Sequence, residues 1–128
     1  MSRKSLKVLV LVHETLVPPE NHRQLSVEER DEFRTESDVV AALEDLGHEV
    51  RVIGLYDELA PLRLAIDEFQ PQVAVNLLEE FNELTVYDHN VVSYLELKQV
   101  PYTGCNPRGL VLGRDKALSK KILSYHRI

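Results

Sequence analysis

Hydrophobic positions along this chain follow two different spacings, and the two alternate from one end to the other. The continuous apolar run Lys7–Val12 is typical of a strand buried on both faces, as in the centre of a parallel sheet. The alternating pattern of His48–Ile53 and the apolar stretch Val73–Leu77 predict two more strands. The segment Gln99–Thr103 predicts a short fourth strand.

Apolar residues three and four positions apart predict a helix between each pair of consecutive strands. The three helices are expected over Thr35–Leu46, from Pro61 to Phe69 and over Val86–Leu97. In the first helix, Thr35 or Ser37 is the candidate N-cap, and Gly47 suits the left-handed position after the last turn. The polar segment from His13 to Arg34 is long for a loop, so we expect a short helix near Val27–Phe33.

This order of elements predicts an α/β fold. We expect a Rossmann-like, three-layer domain around a central, mostly parallel four-stranded sheet with right-handed crossovers. The 128 residues suit a single domain. Ligands of such sheets bind beyond the carboxyl ends of the strands, all at the same edge. We therefore expect His13, Glu14, Asn76 and Cys105 to border one shared cleft.

Charge and cysteine content narrow the classes of function. A net charge of -6 argues against general nucleic-acid binding, and the apolar run after the N-terminus is too short to span a membrane. The single cysteine excludes an internal disulfide and favours the cytoplasm. From Gly104 onward, six basic residues stand against Asp115 alone, so this end of the chain can attract an anion.

Acidic and histidine side chains follow the predicted strand ends. Glu79, Glu80 and Glu83 can hold a cation or a substrate amine, but acidic residues in a solvated loop or at a helix start need no ligand. His13 and Glu14 directly follow the central strand. For His13, contact with a ligand and a structural hydrogen bond both remain open.

Other chemistry is not indicated by the residues themselves. The remaining four histidines lack the spacing of metal ligands, so no metal site is predicted. The dinucleotide-binding fingerprint and the Walker A motif are both absent. Cys105 has no neighbouring base or second cysteine, so we expect a buried or half-buried thiol and assign no catalytic residue.

The predicted last helix carries a basic face and an apolar face. Lys116 and Lys120 lie four residues apart, while Leu118, Ile122 and Tyr125 lie on another face. The apolar stripe is most simply a docking surface. Spacing alone leaves these lysines as ordinary solvated side chains.

Residues 73–123 resemble the N-terminal region of D-alanine–D-alanine ligases and their ATP-grasp relatives. The resemblance rests on the order and spacing of Val73-Ala-Val-Asn-Leu-Leu-Glu79, Tyr94-Leu-Glu-Leu97, Val100-Pro-Tyr-Thr-Gly104 and Asp115-Lys116-Ala-Leu-Ser-Lys120. In that family this region is the pre-ATP-grasp domain, a Rossmann-like unit that forms part of the amino-acid site. It packs there against two further domains that hold ATP and magnesium. The resemblance implies that residues 1–128 form such a domain.

The resemblance also implies roles for individual residues. Lys116 matches the lysine of the family's Asp-Lys pair, which reaches a nucleotide phosphate. Aligned back from Pro101 without gaps, Tyr87 takes the place of a family glutamate near the substrate, which bears on specificity for D-alanine. The residues expected to line the substrate side are His13, Glu14, Asn76, Glu79 and Tyr87.

The implied function is that of the substrate-side domain of an ATP-dependent carboxylate–amine ligase. In such a ligase, ATP phosphorylates a carboxylate and an amine attacks the acylphosphate. ATP and Mg²⁺ would serve the full-length parent, and residues 1–128 alone are expected to be inactive and to bind neither tightly.

Expected partners are C-terminal ATP-grasp domains beyond Ile128 and a small amino-acid or peptide substrate, with a homodimer as one possible assembly. Neither nucleic acid nor a membrane is expected as a partner. The alternative function is a non-catalytic, flavodoxin-like module that docks a partner protein through its basic end and its long charged loop.

Overall fold

The computed structural model describes residues 4–79, 81–84 and 87–127. Its strands are β1 (Lys7–His13), β2 (Glu49–Leu55) and β3 (Val73–Asn76). Its helices are α1 (Val27–Arg30), α2 (Arg34–Asp45), α3 (Ala60–Phe69), α4 (Asp88–Leu97), α5 (Pro107–Arg114) and α6 (Lys116–Tyr125). Glu80 and Val86, which the sequence analysis placed in an acidic group and at a helix start, lie outside the described residues. None of the described helices is both long and apolar enough to cross a membrane.

The sheet is parallel, with the order β2-β1-β3. Strand β1 pairs with β2 along its whole length, from Lys7 opposite Glu49 to His13 opposite Leu55. On its other side, Val8 to Leu11 pair with Val73 to Asn76. The first strand is therefore the central one, as its continuous apolar run predicted.

The predicted fourth strand is wrong: within the described residues the sheet has three strands. Tyr102 forms only an isolated bridge with Ala74, through an Ala74 N–H bond to the Pro101 carbonyl (2.8 Å) and a Thr103 N–H bond to the Ala74 carbonyl (3.0 Å). Pro101 has no N–H to extend the ladder, and Gly104 turns the chain at a φ of 95°. The segment supports β3 without becoming a strand.

Strand β1 divides the core into two layers because its side chains alternate between the faces of the sheet. Leu9 and Leu11 pack on one face against α3 and α4. Val8, Val10 and Val12 pack on the other face with Val40 of α2 and its neighbours. Helices thus cover both faces of the sheet.

Helix α2 begins differently from the prediction. Neither Thr35 nor Ser37 caps it, because a 3₁₀ turn over Asp31–Phe33 runs directly into the helix. The hydroxyl of Ser37 is buried instead, 2.6 Å from Nδ1 of His22. The predicted left-handed Gly47 (φ 91°) and the short helix α1 are both confirmed.

Helix α3 provides a test of the core. Leu62 is fully buried, whereas Leu64, two residues along, is 51% exposed. We expect Leu62→Ala to lower the free energy of unfolding by about 2–5 kcal/mol through lost burial and a residual cavity. Leu64→Ala should cost less than about 1 kcal/mol. Urea denaturation of both variants measures the difference, and equal costs would contradict the assigned face of α3.

Candidate functional site

A cleft of about 610 Å³ opens at the carboxyl ends of β1 and β3. Its volume is in the range of small-molecule sites. It is lined by His13, Thr15, Leu16, Thr35, Glu36, Asn76, Leu77, Leu78 and Glu79. Three of the predicted substrate-side residues, His13, Asn76 and Glu79, therefore meet in one place.

His13 is the last residue of β1, and its ring is held on two sides. Nδ1 accepts hydrogen bonds from the Thr15 hydroxyl (2.8 Å) and from the Thr15 N–H (3.2 Å). The ring also meets Tyr56 edge to face, with centroids 5.6 Å apart. Because Nδ1 accepts, these hydrogen bonds assign the proton of the neutral imidazole to Nε2. His13 thus both makes a structural hydrogen bond and lines the cleft.

Asn76 ends β3, and the turn after Pro101 holds it. Its N–H donates to the Thr103 hydroxyl (3.0 Å), and its side-chain Oδ1 accepts from the Leu78 N–H (3.1 Å). The Tyr102 hydroxyl donates to Glu96 of α4 (2.6 Å). The segment that carries much of the sequence resemblance therefore fixes one wall of the cleft.

Glu36 is the lining residue that the sequence analysis missed. It lies in the first turn of α2, and only 8% of its surface is exposed. Burial raises the pKa of its carboxyl, its own backbone N–H lowers that pKa, and the Glu79 carboxylate raises it. Its position was a readable signal, because Glu36 lies four residues before the buried Val40, on the inward face of the helix.

The remaining predicted residues do not line this cleft. Glu14 is exposed, and its backbone lies so close to β2 that a Cβ added to Gly54 would be 2.7 Å from the Cα of Glu14. Tyr87 is exposed at the start of α4. Cys105 is exposed, so the expected buried or half-buried thiol is wrong. The isolated Tyr102 bridge leaves Cys105 outside the sheet, at the loop before α5.

A second cleft of about 500 Å³ lies at the junction of α5 and α6 and shares no lining residue with the first. Lys116 lines it, together with His89, Val111, Arg114 and Asp115. The Asp115 side chain caps α6 by accepting from the Leu118 N–H (2.9 Å). Arg114 forms an ion pair with the buried Asp88 of α4 (2.7 Å). Within the described ranges, no group of three or more His, Cys, Asp or Glu side chains is arranged to hold a metal ion.

Comparison with known proteins gives one match in sequence and one in fold, while no family model matches the chain. A D-alanine–D-alanine ligase of Syntrophotalea carbinolica is 34% identical over 105 residues, which is 81% of this chain and 32% of that ligase. The crystal structure of D-alanine–D-alanine ligase from Bacillus anthracis complexed with ATP has the same fold. It matches 98% of this chain and 36% of its own, with a TM-score of 0.68 and 23% identity.

The chain thus spans about a third of the length of the relatives it matches. The resemblance to D-alanine–D-alanine ligases is confirmed in sequence over most of the chain, and the α/β fold with a parallel sheet is confirmed as well.

The turn that supports Asn76 can be tested through pH. Burial and then the hydrogen bond to Glu96 raise the pKa of Tyr102 from 10.0 to about 12. This phenol therefore contributes to stability below pH 10, and the contribution is lost as pH rises toward 12. We expect Tyr102→Phe to flatten the decline of stability over this range and to remove the tyrosine that ionises near pH 12 in absorbance titrations.

Glu96→Gln is the matched variant for this test. It keeps a neutral acceptor and the burial of the ring, so the pKa of Tyr102 should fall without returning to its ordinary value. If Tyr102→Phe instead removes a tyrosine that ionises near pH 10, the pKa of Tyr102 is not raised and the described contact is ruled out.

Proposed function

We infer that this chain is the N-terminal, substrate-side domain of an ATP-dependent carboxylate–amine ligase similar to D-alanine–D-alanine ligase. The observation that carries the proposal is the 34% identity to such a ligase over 105 residues. The shared fold over 98% of the chain supports it. In this proposal the chain is a Rossmann-like, pre-ATP-grasp domain that does not catalyse the reaction alone.

The two clefts suit two parts of such a reaction. The polar cleft at the ends of β1 and β3 would take the small substrate, with His13, Asn76 and Glu79 in its wall. The second cleft combines the Lys116 ammonium with Arg114 and the N-terminus of α6, a donor set that suits phosphate oxygens. ATP, when bound, would supply the phosphoryl group that activates the carboxylate.

The proposed role of Lys116 is to place a fixed positive charge near the phosphates. Fixed cations favour the charge that develops during phosphoryl transfer. Mg²⁺ would be held outside the described residues, on the further domains that the proposal requires. Glu14 and Tyr87, which do not line the first cleft, would reach a substrate only from its rim or across an interface with those domains.

Apolar side chains on α5 and α6 support contact with further domains. The large exposed ones are Val111, Leu112, Leu118, Ile122, Leu123 and Tyr125. Clustered apolar exposure of this kind commonly marks an interface. A second copy of the chain is the other occupant that we consider.

The alternative function uses the same surface differently. A non-catalytic, flavodoxin-like module would dock a partner protein on α5 and α6 and would need neither nucleotide nor ligase substrate. Both functions fit the cytoplasm, which we propose because Cys105 is the only cysteine and ATP-dependent ligation is an intracellular reaction. Dependence of activity on Lys116 separates the two functions.

In a ligase that contains this domain, we expect Lys116→Ala to weaken the use of ATP far more than Lys121→Ala. Loss of a charge that contacts a phosphate should cost about 1.5–3 kcal/mol in kcat/KM for ATP. Lys121 is the matched control because it lies on the same helix and does not line the second cleft. Equal kinetic effects of the two substitutions would remove the case for Lys116.

Residues 1–128 alone should neither bind Mg-ATP tightly nor hydrolyse it. The donors of the second cleft, Lys116, Arg114 and the N-terminus of α6, cannot supply the metal-assisted charge stabilisation that phosphoryl transfer needs. Calorimetric titration with Mg-ATP measures this directly. Micromolar affinity or turnover by this chain would show that it carries a complete nucleotide site.

A further inference from the structure

Asp88 has no role in the proposed function, although it is a buried carboxylate beside the second cleft. Arg114, which lines that cleft, donates from Nη2 (2.7 Å) and from Nε (3.2 Å) to the same oxygen, Oδ2, of Asp88. The Asp88 side chain is 5% exposed, whereas the Arg114 side chain is 47% exposed. Of the ion pairs whose two members are both described, this pair alone has a buried member.

The charge of Asp88 depends on Arg114 for compensation. The second oxygen of Asp88, Oδ1, is buried and has no hydrogen-bond partner among the described residues. A buried carboxylate that loses its cation keeps an uncompensated charge, which is strongly unfavourable. Asp88 lies in the first turn of α4, and the N-terminus of that helix offsets only part of this cost. We therefore expect Arg114 to stay on Asp88 when a ligand binds.

The contact with Asp88 uses only one side of the Arg114 guanidinium. Nε and Nη2 donate to the carboxylate, and no described residue accepts a hydrogen bond from Nη1. The N–H groups of a guanidinium are planar and fixed in direction, so they can meet two phosphate oxygens at once. A guanidinium that is already held in place loses less conformational freedom when a ligand binds.

The same contact fixes the junction of α5 and α6. No described residue of either helix is buried, so core packing contributes little to their position. Arg114 ends α5, and Lys116 begins α6 two residues along. Asp88 belongs to α4, which is anchored in the core by the buried side chains of Val91 and Leu95. The ion pair thus ties the residues of the second cleft to the rigid part of the fold.

We propose that Asp88 is a positioning residue of the second cleft. It holds the Arg114 guanidinium so that Nη1 of Arg114 and the ammonium of Lys116 form one preorganised site for phosphate oxygens. The inference rests on the proposed function, which assigns the phosphates to this cleft. An effect of charge alone has the opposite sign, because removal of a carboxylate near an anion site strengthens the binding of the anion. The sign of the effect therefore separates positioning from charge.

The experiment is an amide chemical-shift titration of this chain with inorganic tripolyphosphate at neutral pH and low ionic strength, where weak binding is least screened. We expect saturable shifts at His89, Arg114 and Lys116. Asp88→Asn, which keeps the size of the side chain, should raise the Kd about fivefold although it removes a negative charge. Asp67→Asn removes the same charge from an exposed position on α3 and should leave the Kd unchanged.

A second background tests whether Asp88 acts through Arg114. In an Arg114→Met chain, Asp88→Asn should no longer raise the Kd, because the guanidinium that Asp88 positions is gone. A carboxylate that only stabilises the fold would lower the melting temperature when it is removed and would leave the Kd of the folded chain unchanged. Melting curves of the same variants record that contribution separately.

An unchanged or lowered Kd in Asp88→Asn would overturn the proposal, and so would an equal rise in the Arg114→Met background. If Asp88→Asn does not fold, Arg114→Lys decides, because it keeps the positive charge and loses the two-point contact with Asp88. An unchanged Kd in Arg114→Lys then contradicts positioning.

The same titration distinguishes a failure of this inference from a failure of the proposed function. If Lys116→Ala weakens the binding of tripolyphosphate and Asp88→Asn does not, the inference about Asp88 fails and the phosphate role of the cleft stands. If tripolyphosphate gives no saturable shifts, or shifts only away from the second cleft, both are overturned.

Discussion

The burial of β1 on both of its faces is the constraint on which the rest of the structure depends. Its alternating side chains supply one layer of core to α3 and α4 and another to α2. A strand buried in this way must lie in the centre of the sheet, and it is paired on both edges by parallel neighbours. Parallel pairing brings the carboxyl ends of β1 and β3 to the same edge, where His13 and Asn76 face one cleft.

Support for that edge comes from a segment that does not become a strand. Pro101 prevents a continued ladder, yet the carbonyl of Pro101 holds β3 at Ala74 and the hydroxyl of Thr103 holds it at Asn76. Tyr102 ties the same segment to α4 through Glu96. The residues in this segment that carry the sequence resemblance therefore have a structural role: their hydrogen bonds hold one wall of the cleft in place.

Much of the fold could be read from the sequence because apolar spacing reports burial directly. The patterns correctly predicted a strand over Lys7–Val12, a helix close to Thr35–Leu46 and a left-handed conformation at Gly47. The fourth strand failed because a short apolar run does not reveal whether the neighbouring strand offers a full ladder. The predicted cap of α2 was wrong because a 3₁₀ turn runs directly into the helix. The residue preferences that favour Thr35 or Ser37 as a cap do not reveal such a turn.

The sequence predicted the position of only some residues of the cleft, because strand order can be inferred from apolar spacing and the path of a loop cannot. His13 and Asn76 are the last residues of β1 and β3 and line the cleft together with Glu79, since strand order fixes where those residues emerge. Their roles in substrate binding stay predictions. The positions of Glu14 and Tyr87 depend on the path of the loops. Gly54 has no Cβ, which lets the backbone of Glu14 turn against β2 and away from the cleft. Glu36 lies on α2 and not at a strand end, so strand order does not point to it, and its spacing of four residues from the buried Val40 is the signal that does.

In the proposed function, the edge formed by β1 and β3 is the substrate side of a ligase. The most direct test is a crystal structure of a ligase that contains this domain, with ATP and its amino substrate bound. We expect substrate density against His13, Asn76 and Glu79, with nucleotide phosphate near Lys116. Substrate density away from this cleft, with the cleft filled by side chains of another domain, would contradict it.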